Sequence, residues 1–180
     1  MRPILALGLA LTAACGDPFA LPRANFANVV DTVSLYALSG TPVATPSGYH
    51  LQFRDAVRID QGGTFDFAID LDTAGRPVLL STGALKLGRS SGVQLTTLPF
   101  DSIGLAPDRG FQLDSAVTVD VGGRAIVHSR AATCSFGIPA VYYAKLQILE
   151  VDTAARRIDF QILVDTNCGY RGLEPGLPSR

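Results

Sequence analysis

The chain has 180 residues, 47% of them apolar, and its 15 basic side chains against 16 acidic ones leave a formal charge of -1. That length suits one domain and that apolar share suffices for a core. The near-balance of charge excludes the basic footprint that nucleic acid or an anionic membrane surface selects.

At the N-terminus Arg2, the apolar run Ile4 to Leu11 and the small residues Thr12-Ala13-Ala14 predict a secretory signal over residues 1–14. The run is far shorter than the roughly 20 residues of a membrane-crossing helix, and Gly16, Asp17 and Pro18 end it. The stretch LTAACGDP, Leu11 to Pro18, resembles a bacterial lipoprotein lipobox, with Leu11 four positions before the cysteine. The resemblance implies that Cys15 is diacylated on sulfur, becomes the mature N-terminus and ties the protein to a cell-envelope membrane facing the periplasm or exterior. Such a double anchor needs no transmembrane segment. Ordinary cleavage after Ala14 is the alternative. Of 3 cysteines, lipidation of Cys15 leaves Cys134 and Cys168 to pair with each other in an oxidising compartment.

Residues 15–28, with Pro18 and Pro22, predict a tether, and residues 29–180 a single β-domain. TVSLYALS, Thr32 to Ser39, alternates apolar and polar residues and predicts a strand, with a short helix through Phe26, Val29, Val30 and Val33 as the alternative. Gly40 to Gly48 predicts a loop, and Tyr49 to Ile59 extended chain. In TFDFAIDLD, Thr64 to Asp72, a strict period of two predicts Phe65, Phe67, Ile69 and Leu71 on a buried face and Asp66, Asp70 and Asp72 on a solvated one. Asp72 to Arg76 then predicts a hairpin loop into Pro77 to Ser81. Gly122-Gly123 predicts a two-residue hairpin between AVTVDV and RAIVHS, both glycines at positive φ. Val141 to Val151 and Ile158 to Val164 form a last predicted hairpin through residues 152–157. No segment reads as a long capped amphipathic helix, so the expected class is all-β, an antiparallel sandwich or barrel-like sheet.

The 2 histidines, His50 and His128, fall on predicted strands or their edges without H-E-x-x-H or C-x-x-C spacing, and lone strand histidines are usually surface or hydrogen-bonded residues. Asp70 to Gly75 opens like an EF-hand loop but has Ala74 at the fifth position and Ser81 where the twelfth must be a bidentate Glu. There is no G-x-S-x-G elbow, phosphate loop or dinucleotide fingerprint. YYAKLQILEVDTAARRIDFQILVD, Tyr142 to Asp165, resembles the C-terminal hairpin of the HmuY-type haem-binding lipoproteins. That resemblance implies an all-β, lipid-anchored protein that captures haem between two histidines, here His50 and His128. The expected function is therefore a non-catalytic interaction or structural module at the envelope, with an unidentified protein or small-ligand partner and no cofactor. A haem or other small-ligand carrier is the alternative.

Overall fold

The computed structural model describes residues 23–62, 64–134, 137 and 139–179; the predicted signal and Cys15 lie outside them. The described chain is all-β and antiparallel, packed as a sandwich. The strands are β1 Val30–Tyr36, β2 Gly48–His50, β3 Asp55–Val57, β4 Phe67–Leu71, β5 Pro77–Ser81, β6 Gly92–Thr96, β7 Val117–Thr118, β8 Arg124–His128, β9 Ala132–Thr133, β10 Pro139–Ala140, β11 Tyr143–Asp152 and β12 Arg157–Asp165. One five-stranded sheet runs β1-β12-β11-β8-β6, the other β3-β2-β4-β5-β7, and β9 and β10 make a two-stranded arm.

The long sheet is built on the β11–β12 hairpin, paired from Tyr143↔Asp165 to Asp152↔Arg157 with a bulge between Ile148 and Glu150. Its alternate residues Ala144, Leu146 and Ile148 on β11, and Ile158, Phe160, Ile162 and Val164 on β12, face the second sheet. From that second sheet Tyr49, Phe67, Ile69 and Leu79 meet them. Phe160 lies 6.2 Å edge-on to both Tyr49 and Phe67. Each such buried aromatic contributes about 1.5–3 kcal/mol by leaving water, so this cluster holds the sheets face to face.

Two expected strand arrangements differ from what forms. Tyr49 to Ile59 folds on itself, β2 pairing with β3 around a turn in which Arg54 takes φ 55°. The strands flanking Gly122-Gly123 do not pair with each other: β7 pairs with β5, whereas β8 pairs with β6 and β11. The Gly123 amide donates to the Asp120 carbonyl at 2.8 Å, and only Gly122 has positive φ, at 79°. The turn therefore carries the chain from one sheet to the other. Alternation tells which residues face the core and not which strand lies alongside, and here the long-range partners prevail.

The long sheet's outer face, on which Lys145 of β11 lies between Ile126 and Leu163, is covered by a further layer of chain. The segment 97–113, with a 3-10 turn at Phe100–Ser102, and the C-terminal stretch 170–177 cover that face. Phe100, Ile103, Ala106 and Leu173 pack there against Ile126 and Leu163. The two covering segments pair, Ala106 amide to Arg171 carbonyl at 2.8 Å and Leu173 amide to Gly104 carbonyl at 2.9 Å.

Lys145, between Ile126 and Leu163 in register, is 1% exposed. Its Nζ donates to the Phe100 carbonyl at 2.8 Å and the Ile103 carbonyl at 3.0 Å, 4.6 Å from the centre of the Phe100 ring. A buried ammonium thus staples the covering segment through two of its carbonyls, of which Phe100's also accepts the Ile103 amide at 3.3 Å. Burial pulls Lys145 below its ordinary 10.5, opposed by Asp101 and Glu174. A lysine lowered in the fold binds fewer protons folded than unfolded between the two values, so its contribution improves as pH rises through that window. Lys145→Met is expected to cost about 2 kcal/mol at neutral pH and to raise amide exchange in residues 99–106. The native chain's advantage over the variant widens between neutral pH and pH 10.5. An advantage that narrows, measured by denaturant unfolding at both ends, contradicts the assignment.

Candidate functional site

Cys134 and Cys168 form a disulfide with Cα atoms 5.9 Å apart. The fold-back it requires is made by β9 and β10, Thr133 opposite Pro139, with Gly137 at φ 74° donating its amide to the Cys134 carbonyl. The bond ties the arm's tip to the chain just past β12. Closing a loop of 34 residues stabilises by about 4 kcal/mol in the chain-entropy account.

The two histidines occupy different surroundings. His128 lies on the outer face of the long sheet, its Nδ1 donating to the Ser129 carbonyl at 2.8 Å and its ring edge-on to Phe111 at 4.6 Å. Burial holds its pKa below the ordinary histidine value. It fits because Gly92 is its neighbour: a Cβ there would stand 2.6 Å from Nε2. His50 follows the core residue Tyr49 and stacks on Phe53 at 4.7 Å, with Nδ1 4.0 Å from Asp66. The cleft that His50 lines does not include His128, so the structure does not bring the two imidazoles together.

That cleft opens at one end of the sandwich. It measures about 560 Å³ and is bounded by Phe53 and Gln52 of the β2–β3 turn, by Ser129 to Thr133 leading into the arm, and by Tyr142. Two further depressions share Tyr142, one beside Phe26 and Phe53 and one beside Arg23, Phe26 and the disulfide. Together they form a groove with Tyr142 as its floor, and this volume is in the range of small-molecule sites. Phe53 is 66% and Phe26 62% exposed. The Tyr142 hydroxyl lies 4.0 Å from the Cys168 sulfur, and burial pushes its phenol up.

Both walls are fixed by polar residues. Asp66, 2% exposed, accepts the Leu51 amide at 2.8 Å and the Arg130 amide at 2.9 Å, with Arg130 Nε at 3.4 Å. It therefore joins the β2–β3 turn of one sheet to the strand end of the other and is not on a solvated face as alternation predicts. Asn167 holds the opposite wall: Oδ1 accepts the Asn25 and Phe26 amides at 2.8 and 3.0 Å, while Nδ2 donates to the Phe26 carbonyl at 2.8 Å. Asn167 also donates to Asp165, whose carboxyl burial pushes up.

The remaining acidic candidates serve turns. Asp70 accepts the Ser39 hydroxyl at 2.9 Å, and Asp72 accepts the Ala74 and Arg76 amides at 2.9 Å, bonds that hold Asp72 below the ordinary carboxylate range. Among the described residues no group of three or more His, Cys, Asp or Glu is placed to hold a metal ion. Sequence reasoning picked out His50 but missed Asp66, Arg130, Phe53 and Tyr142; the polar residue leading a strict apolar run, Asp66, was the available signal. No protein-family model matches the chain, and no curated protein matches it.

Asp66→Ala leaves the buried Leu51 amide and the half-buried Arg130 amide without their acceptor and is expected to cost about 3 kcal/mol. Phe53→Ala, at an exposed position, changes stability by less than about 0.5 kcal/mol. Chemical denaturation of both variants checks the pair; equal effects refute the clamp.

Proposed function

We propose that the chain is an exported, lipid-anchored envelope protein whose β-sandwich is a non-catalytic binding module, with the groove around Tyr142 as its recognition surface. The observation that carries this is the pairing of two largely exposed phenylalanines with walls held rigid by buried polar residues. A folding requirement alone does not call for Phe26 and Phe53 at the rim of a concave, hydrogen-bond-fixed surface, whereas recognition does. Arg23, Asn25 and Phe26, the first described residues after Cys15, form one wall. A chain acylated at Cys15 therefore carries the groove within about 28 Å of the membrane, the most that segment 15–22 spans when extended.

The two parts are tested separately. In cells of its own source, the mature protein partitions into the detergent phase with the mass of a lipid-modified Cys15, and Cys15→Ser moves it to the soluble fraction; an unmodified thiol on membrane-free protein refutes the anchor. A photoreactive residue in place of Phe53 yields a saturable adduct in isolated envelopes. The same residue in place of Val43, which is exposed but not in the groove, yields none. Equal labelling from both positions refutes the recognition surface.

A further inference from the structure

Resting on the groove as the recognition surface, we propose that its ligand is an aromatic carboxylate, the ring seated on Phe53 and the carboxylate on Arg130. Phe53 has one ring face against His50 at 4.7 Å and an interplanar angle of 27°, yet the residue is 66% exposed. It is a shelf braced from beneath and open above, and offset stacking on such a ring stabilises a planar ligand by about 0.5–1.5 kcal/mol beyond the area it buries.

Arg130 supplies the complementary charge. Its backbone amide and Nε both engage Asp66 Oδ1, at 2.9 and 3.4 Å, which aims the guanidinium and leaves its two terminal nitrogens without a partner among the described residues. The side chain is 30% exposed and lines the same cleft as Phe53. A planar fork fixed at its base and open at its tip is the geometry that grips a carboxylate through two parallel bonds. Asp66, the acidic residue of this cleft, is 2% exposed and surrounded by donors, so it directs Arg130 without presenting its own charge to the ligand. Gln52, Thr64, Ser90 and Thr133 line the rest of the cleft beside the Tyr142 ring, so hydrogen-bonding side chains surround the Arg130 guanidinium and the aromatic shelf.

The probe is 2-naphthoate followed by its own fluorescence, which the chain does not obscure because it has 0 Trp. Saturable binding is expected, weakened about tenfold or more by Arg130→Gln and by Phe53→Ala. Arg130→Lys, which keeps the charge but loses the fork, falls between, and unfolding midpoints recorded alongside confirm that each variant is folded. Neutral 2-naphthalenemethanol and non-aromatic cyclohexanecarboxylate each bind about tenfold more weakly than naphthoate. If naphthoate and the alcohol bind alike while Phe53→Ala weakens both, the carboxylate assignment falls and the groove stands. If naphthoate binds but neither Phe53→Ala nor Phe26→Ala alters it, the groove itself is the wrong site. No saturation at millimolar naphthoate overturns the ligand class.

Discussion

One carboxylate decides the geometry of the end of the sandwich where the groove opens. Apolar packing holds the sheets together, but it is non-directional and sets the separation of two sheets better than their lateral position. Asp66 supplies direction: it takes an amide from the β2–β3 turn in one sheet and another from Arg130 at the strand end of the other. Its two oxygens thus fix Phe53 and Arg130 relative to one another, although these residues belong to different sheets. A buried carboxylate without such donors would be strongly unfavourable, so the two walls and the carboxylate stabilise each other or fail together.

The opposite face follows a different logic. There the long sheet is covered by segment 97–113 and the C-terminal stretch, and Lys145 stands beneath that cover with its ammonium on two carbonyls. Directed polar contacts again do what a small apolar patch does poorly, since Phe100, Ile103, Ala106 and Leu173 form a modest cluster. The covering segment is held in its first half by Lys145, at its middle by strand-like bonds to Arg171 and Leu173, and near its end by the paired bonds of Gln112 with Val93. Asn28 bonds the Gly172 carbonyl at 2.8 Å, so the N-terminal segment that forms a groove wall rests on the same cover.

How far the sequence reveals this depends on the range of the forces involved. Phe67, Ile69 and Leu71 were legible because a strand with one buried face writes its period directly into the chain, and the β11–β12 hairpin was legible because its turn is local. The Gly122-Gly123 crossing was not: two alternating strands around paired glycines look the same whether they pair with each other or enter different sheets. The burial of Lys145 was not legible, because alternation identifies two faces of a strand and says nothing of a third layer laid over one of them. Asp66 and Arg130 are 64 residues apart, and Phe53 was read only as part of an extended segment. The groove exists only where several stretches far apart in the chain meet, so no local pattern announces it.

The covalent and polar ties converge on that meeting point in a way that argues for a preformed site. The disulfide fixes the arm beside Tyr142, Asn167 fixes Asn25 and Phe26, and Asp66 fixes the turn bearing Phe53. Holding the walls in one arrangement before a ligand arrives removes most of the ordering entropy that binding otherwise costs, which matters most for a small ligand with few contacts to offer. A surface meant to wrap a large or variable partner gains little from this rigidity and is commonly built on mobile loops instead. Three ties around the groove, Asp66 at its larger cleft and Asn167 and the disulfide at the adjoining depression, therefore favour a compact ligand of fixed shape over an extended protein partner.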